Sequence, residues 1–211
     1  MLTGDDGGTD GGKRKYLDGE DAWRGYDQPL FESLRQTTDP TKRDVSYAEP
    51  WGILPTANVF FTRELPTETG GRRAYFEQFL AVAGEARADM VFYDPDNGWE
   101  VPSAPYRIKR SAKHLYSDEL WSTFTRGYSV LLYQHFGRQK RDPFICNTAQ
   151  QLCLVTGAAD VFWFRTSDVA FFLVPQASHH ELFQSRVSQV KEVWGNQIRF
   201  PCSSSNPGVE S

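Results

Sequence analysis

Two apolar runs of strand length, Val161–Arg165 and Val169–Val174, are separated only by Thr166, Ser167 and Asp168. Three residues cannot hold the crossover that a parallel pair needs, so these runs must pair antiparallel. This hairpin constrains the fold more than any other feature. Upstream, strand-like runs at 58–63, 89–94 and 129–134 alternate with segments of helical period. Residues 70–83 place Tyr75, Phe76, Phe79, Leu80 and Ala83 on one helical face. Further helices are expected from Asp27 to about Arg35, from a Ser117 cap to Gly127, and from Asp142–Pro143 to Gly157. A last helix should run from a capping box at Ser178–Glu181 to about Trp194. Tyr116 and Trp121 stand where a hydrophobic staple would form. Strand alternating with helix, closed by a tight hairpin, predicts an α/β fold with a mostly parallel sheet and helices on both faces.

With 211 residues, 39% of them hydrophobic, the chain can bury one core, and a single domain over 1–200 is expected. Residues 1–13 contain five glycines and read as a flexible start, while 201–211 read as a disordered tail. A net charge of −4 argues against holding nucleic acid by bulk charge alone. No apolar run approaches a membrane span and no signal peptide opens the chain, which suggests a cytoplasmic protein. Cys146 and Cys153, seven apart, read as reduced core residues, and the three cysteines lack metal-ligand spacing.

Candidate chemistry gathers at Met90–Tyr93, an apolar run that breaks into Asp94-Pro95-Asp96-Asn97-Gly98. Pro95 cannot donate to a sheet ladder and Asn97-Gly98 is a turn dipeptide, so the strand ends at Asp94. Ligands of open α/β sheets bind at this carboxyl edge. His135 ends the next strand, and Glu64 follows the run at 58–63. Residues 106–116 interleave Arg107, Lys109, Arg110, Lys113 and His114 with Tyr106 and Tyr116. That pattern suits phosphate contact with base stacking, so RNA or DNA is a candidate partner. His179 and His180 are adjacent on a helix and therefore point apart.

The D-P-D-N-G turn followed by a Y-Q-H strand resembles a group of uncharacterised bacterial proteins. More distantly, the chain is similar to the adenine-N6 methyltransferases that modify large-subunit ribosomal RNA. In those enzymes a strand ends in Asp-Pro-Pro-Tyr, against Asp94-Pro95-Asp96-Asn97 here. The resemblance implies a Rossmann-like sheet with its first strand missing, as if the chain began internally or were truncated. It also implies S-adenosylmethionine as cofactor, held by Glu64 of the Glu64-Leu65 pair, with Gly4, Asp5 and Gly7 in the glycine-rich start. Asp94 and the Pro95 carbonyl would accept hydrogen bonds from a nucleobase amine, with Asp96, Asn97 and His135 around it. Asn97 replaces the family's stacking aromatic and Asp96 its second proline.

Two other readings fit the same residues. Asp94, Asp96 and Glu100 could hold Mg²⁺ in a nuclease, with Lys113 on a phosphate, although no lysine stands two residues after Glu100. Alternatively, the chain is a non-catalytic binding protein on a methyltransferase-like fold.

Overall fold

A computed structural model describes residues 23–35, 54, 58–66, 70–106 and 109–201. The chain divides into two compact units, Leu2–Glu64 and Leu65–Ser211. In the smaller unit, helix α1 (Gln28–Arg35) starts as expected: Asp27 Oδ1 accepts from the Leu30 N–H at 2.9 Å, and Phe31 is buried. The expected strand at 58–63 does not form. Those residues enter no strand, Val59 is exposed, and Glu64 makes only an isolated bridge. Apolar residues in a row create strand propensity, but a strand exists only where a neighbouring ladder accepts its backbone.

The larger unit carries helices α2 (Gly71–Glu85), α3 (Ser117–Thr125), α4 (Arg141–Thr156) and α5 (His180–Trp194). Its strands are β1 (Met90–Tyr93), β2 (Gly98–Trp99), β3 (His114–Leu115), β4 (Ser129–His135), β5 (Phe162–Arg165) and β6 (Val169–Val174). Four strands form one mixed sheet in the order β1-β4-β6-β5. β1 pairs parallel with β4, whereas β6 pairs antiparallel with both β4 and β5. Three strands therefore run one way, and the reversed β6 lies between the last two. The hairpin is present, but two of the three ladders are antiparallel, so the sheet is less parallel than the sequence suggests. β2 and β3 form a separate two-stranded parallel pair.

Alternation along the strands sorts the sheet into two faces. Val91, Tyr93, Val130, Leu132, Ala170 and Phe172 form the buried face. Phe79 of α2 lies 5.5 Å from the Tyr93 ring, and Thr123 of α3 bonds the Tyr93 hydroxyl at 2.6 Å. Burial pushes that phenol's pKa far above its ordinary value. On the other face Met90 and Phe92 are exposed, and α5 meets it at its first turn, where His180 lies 5.2 Å from Phe162. Helix cover is thus uneven, and α5 buries no residue.

Helix ends follow local chemistry. Gly157 closes α4 at φ +75° and Gly127 follows α3 at φ +94°. α2 closes differently: Arg87, at φ +52°, takes the left-handed position that glycine usually fills. Bonds from Ala88 N–H to Ala83 O and from Arg87 N–H to Gly84 O complete this Schellman closure.

Four local expectations need correction. Tyr116, not Ser117, is the N-cap of α3; its N–H donates to Glu119 Oε2 at 3.1 Å, and the Ser117 hydroxyl donates to Glu100 instead. Trp121 is 56% exposed and staples nothing. Ser178 lies in a 3₁₀ turn (Ala177–His179) ahead of α5, whose N-cap is His179, with no side-chain cap. Cys146 is exposed and Cys153 half-buried, because Ile145, Thr148 and Leu152 form the buried stripe of α4.

Candidate functional site at the Asp94 turn

β1 delivers Asp94 to the carboxyl edge of the sheet, beside the end of β4. The chain turns there: Gly98 N–H donates to Pro95 O at 3.2 Å, and Asn97 N–H to Lys113 O at 2.9 Å. Pro95 is fully buried, whereas Asp94, Asp96 and Asn97 are exposed. The Pro95 carbonyl, expected to receive a ligand amine, already accepts a bond within the turn.

Gln134 organises this turn. It sits on the buried face of β4 at 4% exposure. Its Oε1 accepts from the Trp99 N–H at 2.7 Å, and its Nε2 donates to Asn97 O at 2.8 Å and to His135 O at 2.9 Å. One amide thus satisfies three backbone groups and clamps the turn to the sheet. Gly98 makes room for it at φ +94°. His135, one residue on, alternates to the opposite face, is exposed, and lies opposite Val169.

The 109–115 segment closes over the other side of the turn and is held by Arg72 of α2. That guanidinium is 3% exposed. Its Nε and Nη2 bond both oxygens of Glu119, the Nη2 contact at 2.8 Å. Nη1 reaches Ser111 O and Nη2 His114 O, each at 2.7 Å. The cation also lies 4.9 Å from the Tyr116 ring and 5.5 Å from those of Tyr106 and Phe76. Burial pushes the Glu119 carboxyl up, with Arg72 pulling against it. Tyr106 and Tyr116, expected to stack on bases, therefore stack on the protein's own arginine. Lys113 pairs with Asp96 at 3.4 Å.

His114 is a buried neutral link rather than a surface cation. Nδ1 lies 3.0 Å from Trp99 O, and Nε2 lies 3.5 Å from the Asn97 amide. A carbonyl can only accept, so Nδ1 carries the proton and Nε2 is the acceptor. Burial lowers its pKa below the ordinary histidine value, and Arg72 lowers it further. A depressed histidine contributes stability above its unfolded value of about 6.5, and this is lost as pH falls through the folded value. The wild-type Tm should therefore drop on acidification more steeply than that of H114Q, measured by calorimetry across the same buffers. Parallel pH profiles would refute the assignment.

Asp94 titrates the other way. Protein crowds its carboxylate although the residue is exposed, and this desolvation raises its pKa, with Asp96 adding to the shift. Among the described residues no three His, Cys, Asp or Glu side chains gather as a metal-holding group. Asp96 is engaged by Lys113 and Glu100 by Ser117, so the trio Asp94, Asp96 and Glu100 does not converge. Glu64 stands in the smaller unit without the strand-end setting expected of it, while Gly4, Asp5 and Gly7 lie outside the described residues.

A second arrangement brings a serine, a histidine and an aspartate together where the chain enters α5. Ser129 Oγ lies 2.9 Å from His179 Nδ1, and His179 Nε2 lies 3.9 Å from Asp89. Ser129 is fully buried and also accepts from Gln176 N–H at 2.9 Å, so it anchors the chain entering α5. His180 turns instead to Asp160 at 3.0 Å, so the two histidines point apart as expected.

No family model, curated protein or solved structure matches the chain. No helix among the described residues is long and apolar enough to cross a membrane.

Proposed function

We propose that the chain is a methyltransferase-like protein that receives a nucleobase amine at the Asp94 turn. The observation that carries this reading is an exposed aspartate at the carboxyl end of β1, in a turn locked to β4 by Gln134. A mixed sheet closed by an antiparallel pair is a form that Rossmann-like methyltransferases take, which supports the same reading. Asp94 would accept a hydrogen bond from the amine and orient its lone pair, a positioning effect made possible by the rigid turn. S-adenosylmethionine, when bound, supplies an electrophilic methyl group. The described residues do not form the strand-end grip on that cofactor expected at Glu64.

A second reading, recognition without transfer, is favoured by two observations. The 58–63 segment forms no strand, and the Pro95 carbonyl already accepts one bond within the turn. Metal-dependent hydrolysis is less well supported, because Asp96 pairs with Lys113 and Glu100 accepts from Ser117. RNA or DNA remains the proposed source of the base.

Asp94→Asn tests the reading. The variant should fold normally and lose methyl transfer to RNA or DNA by about 10²-fold, the scale for one preorganised transition-state contact. If neither protein transfers methyl groups but base binding weakens in the variant, the protein recognises without reacting. Unchanged transfer and unchanged binding would remove Asp94 from the site.

A further inference from the structure

Beyond the turn lies a cleft of about 590 Å³ that Asp94, Asp96, Asn97 and His135 do not line. Trp99 forms part of its wall, and Tyr106, Glu100, Gln151 and Leu154 also line it. Leu154 is 77% exposed and Tyr106 38% exposed, so apolar surface stands open at this point. That volume is within the range of small-ligand sites.

Two polar groups in the cleft are each half engaged. Glu100 Oε1 accepts from the Ser117 hydroxyl, while Oε2 receives no bond from any described residue. Gln151 Oε1 accepts from the Trp99 indole N–H at 3.1 Å, and its NH₂ donates to no described residue. Each anchor fixes the side chain's orientation and leaves its other end available. The cleft thus presents one carboxylate acceptor and one amide donor beside aromatic walls. A carboxylate there opposes phosphate and favours a neutral ligand that can donate to it.

We propose that this cleft binds an aminated nucleobase, with its exocyclic NH₂ donating to Glu100 and its ring nitrogen accepting from Gln151. Adenine and cytosine both present that edge. Uracil presents the reverse, a carbonyl acceptor beside an N–H donor. The choice of ligand class rests on the nucleobase reading above, whereas the donor and acceptor pattern rests on the cleft alone. The cleft is coupled to the turn, since the Trp99 backbone is held by Gln134 and its indole by Gln151.

The test is calorimetric titration of the full chain with adenosine, cytidine and uridine. Adenosine and cytidine should bind about tenfold more tightly than uridine, the scale of one lost hydrogen bond. E100Q keeps an acceptor for Ser117 and Q151E keeps one for the Trp99 indole, but each inverts the free end. Each single variant should weaken adenosine by about tenfold. The double variant E100Q/Q151E should reverse the preference toward uridine. Competition by S-adenosylhomocysteine would identify the base as a cofactor's, and competition by a short single-stranded RNA would identify it as a nucleic acid's. No nucleoside binding at millimolar concentration, or equal binding of all three that the variants leave unchanged, would overturn the proposal. Adenosine binding without any methyl transfer would count against transfer alone and leave the cleft assignment standing.

Discussion

Replacing Arg72 with methionine should destabilise the protein by about 3–5 kcal/mol, the cost of removing one partner from a buried ion pair. Arg72 is 3% exposed, and its loss would strand the Glu119 carboxylate, itself 8% exposed, together with the carbonyls of Ser111 and His114. Methionine preserves the stem's packing, so the effect reports charge and hydrogen bonds rather than volume. The double variant R72M/E119Q should recover about half of the loss or more, because no unpaired charge is then buried. Glutamine also keeps an acceptor for the Tyr116 N–H that caps α3. Urea denaturation of the four proteins closes the cycle. A single-variant loss below about 1 kcal/mol would mean that the pair behaves as a surface contact. The effect should extend to the turn, because Arg72 tethers the segment that carries His114 to Asn97.

Gly98→Ala should be nearly as damaging, and its damage should be local to the site. At φ +94° any side chain is strained, by about 1–2 kcal/mol. A methyl group there would also overlap the Gln134 amide, whose Nε2 would lie 2.6 Å away. Displacing that amide would unpair the Trp99 N–H and Asn97 O, each costing about 1–3 kcal/mol when buried. The summed expectation is a loss of roughly 3 kcal/mol or more, read as a lowered urea midpoint. Amide exchange separates this from general unfolding: Trp99 N–H should lose protection first, while Val130 and Leu132 in β4 keep theirs. Uniform loss of protection, or stability equal to wild type, would show that Gln134 does not hold the turn.

Several missed residues left a trace in the sequence. Gln134 follows Val130 and Leu132 at strand period, so alternation alone assigns it to the buried face, where an unpaired amide cannot stay. Arg72 precedes Tyr75, Phe76 and Phe79 on the apolar stripe of α2 and invites the same question. Their partners left none. Gln134 reaches back 35 residues to Trp99, and Arg72 reaches forward 47 to Glu119. His114 reads as a surface cation only because its neighbours in the chain are basic.

What the sequence determined by itself is what short-range physics determines. Thr166-Ser167-Asp168 is too short for anything but an antiparallel return, and Gly127, Gly157 and Asp27 mark helix ends through their own backbone or side-chain chemistry. Tertiary structure decided the rest. It left 58–63 outside any strand, placed β6 between β4 and β5, and chose Gln134 rather than His135 to hold the Asp94 turn. Pairing, burial and hydrogen-bond satisfaction depend on groups distant in the chain, and only the folded molecule brings those groups together.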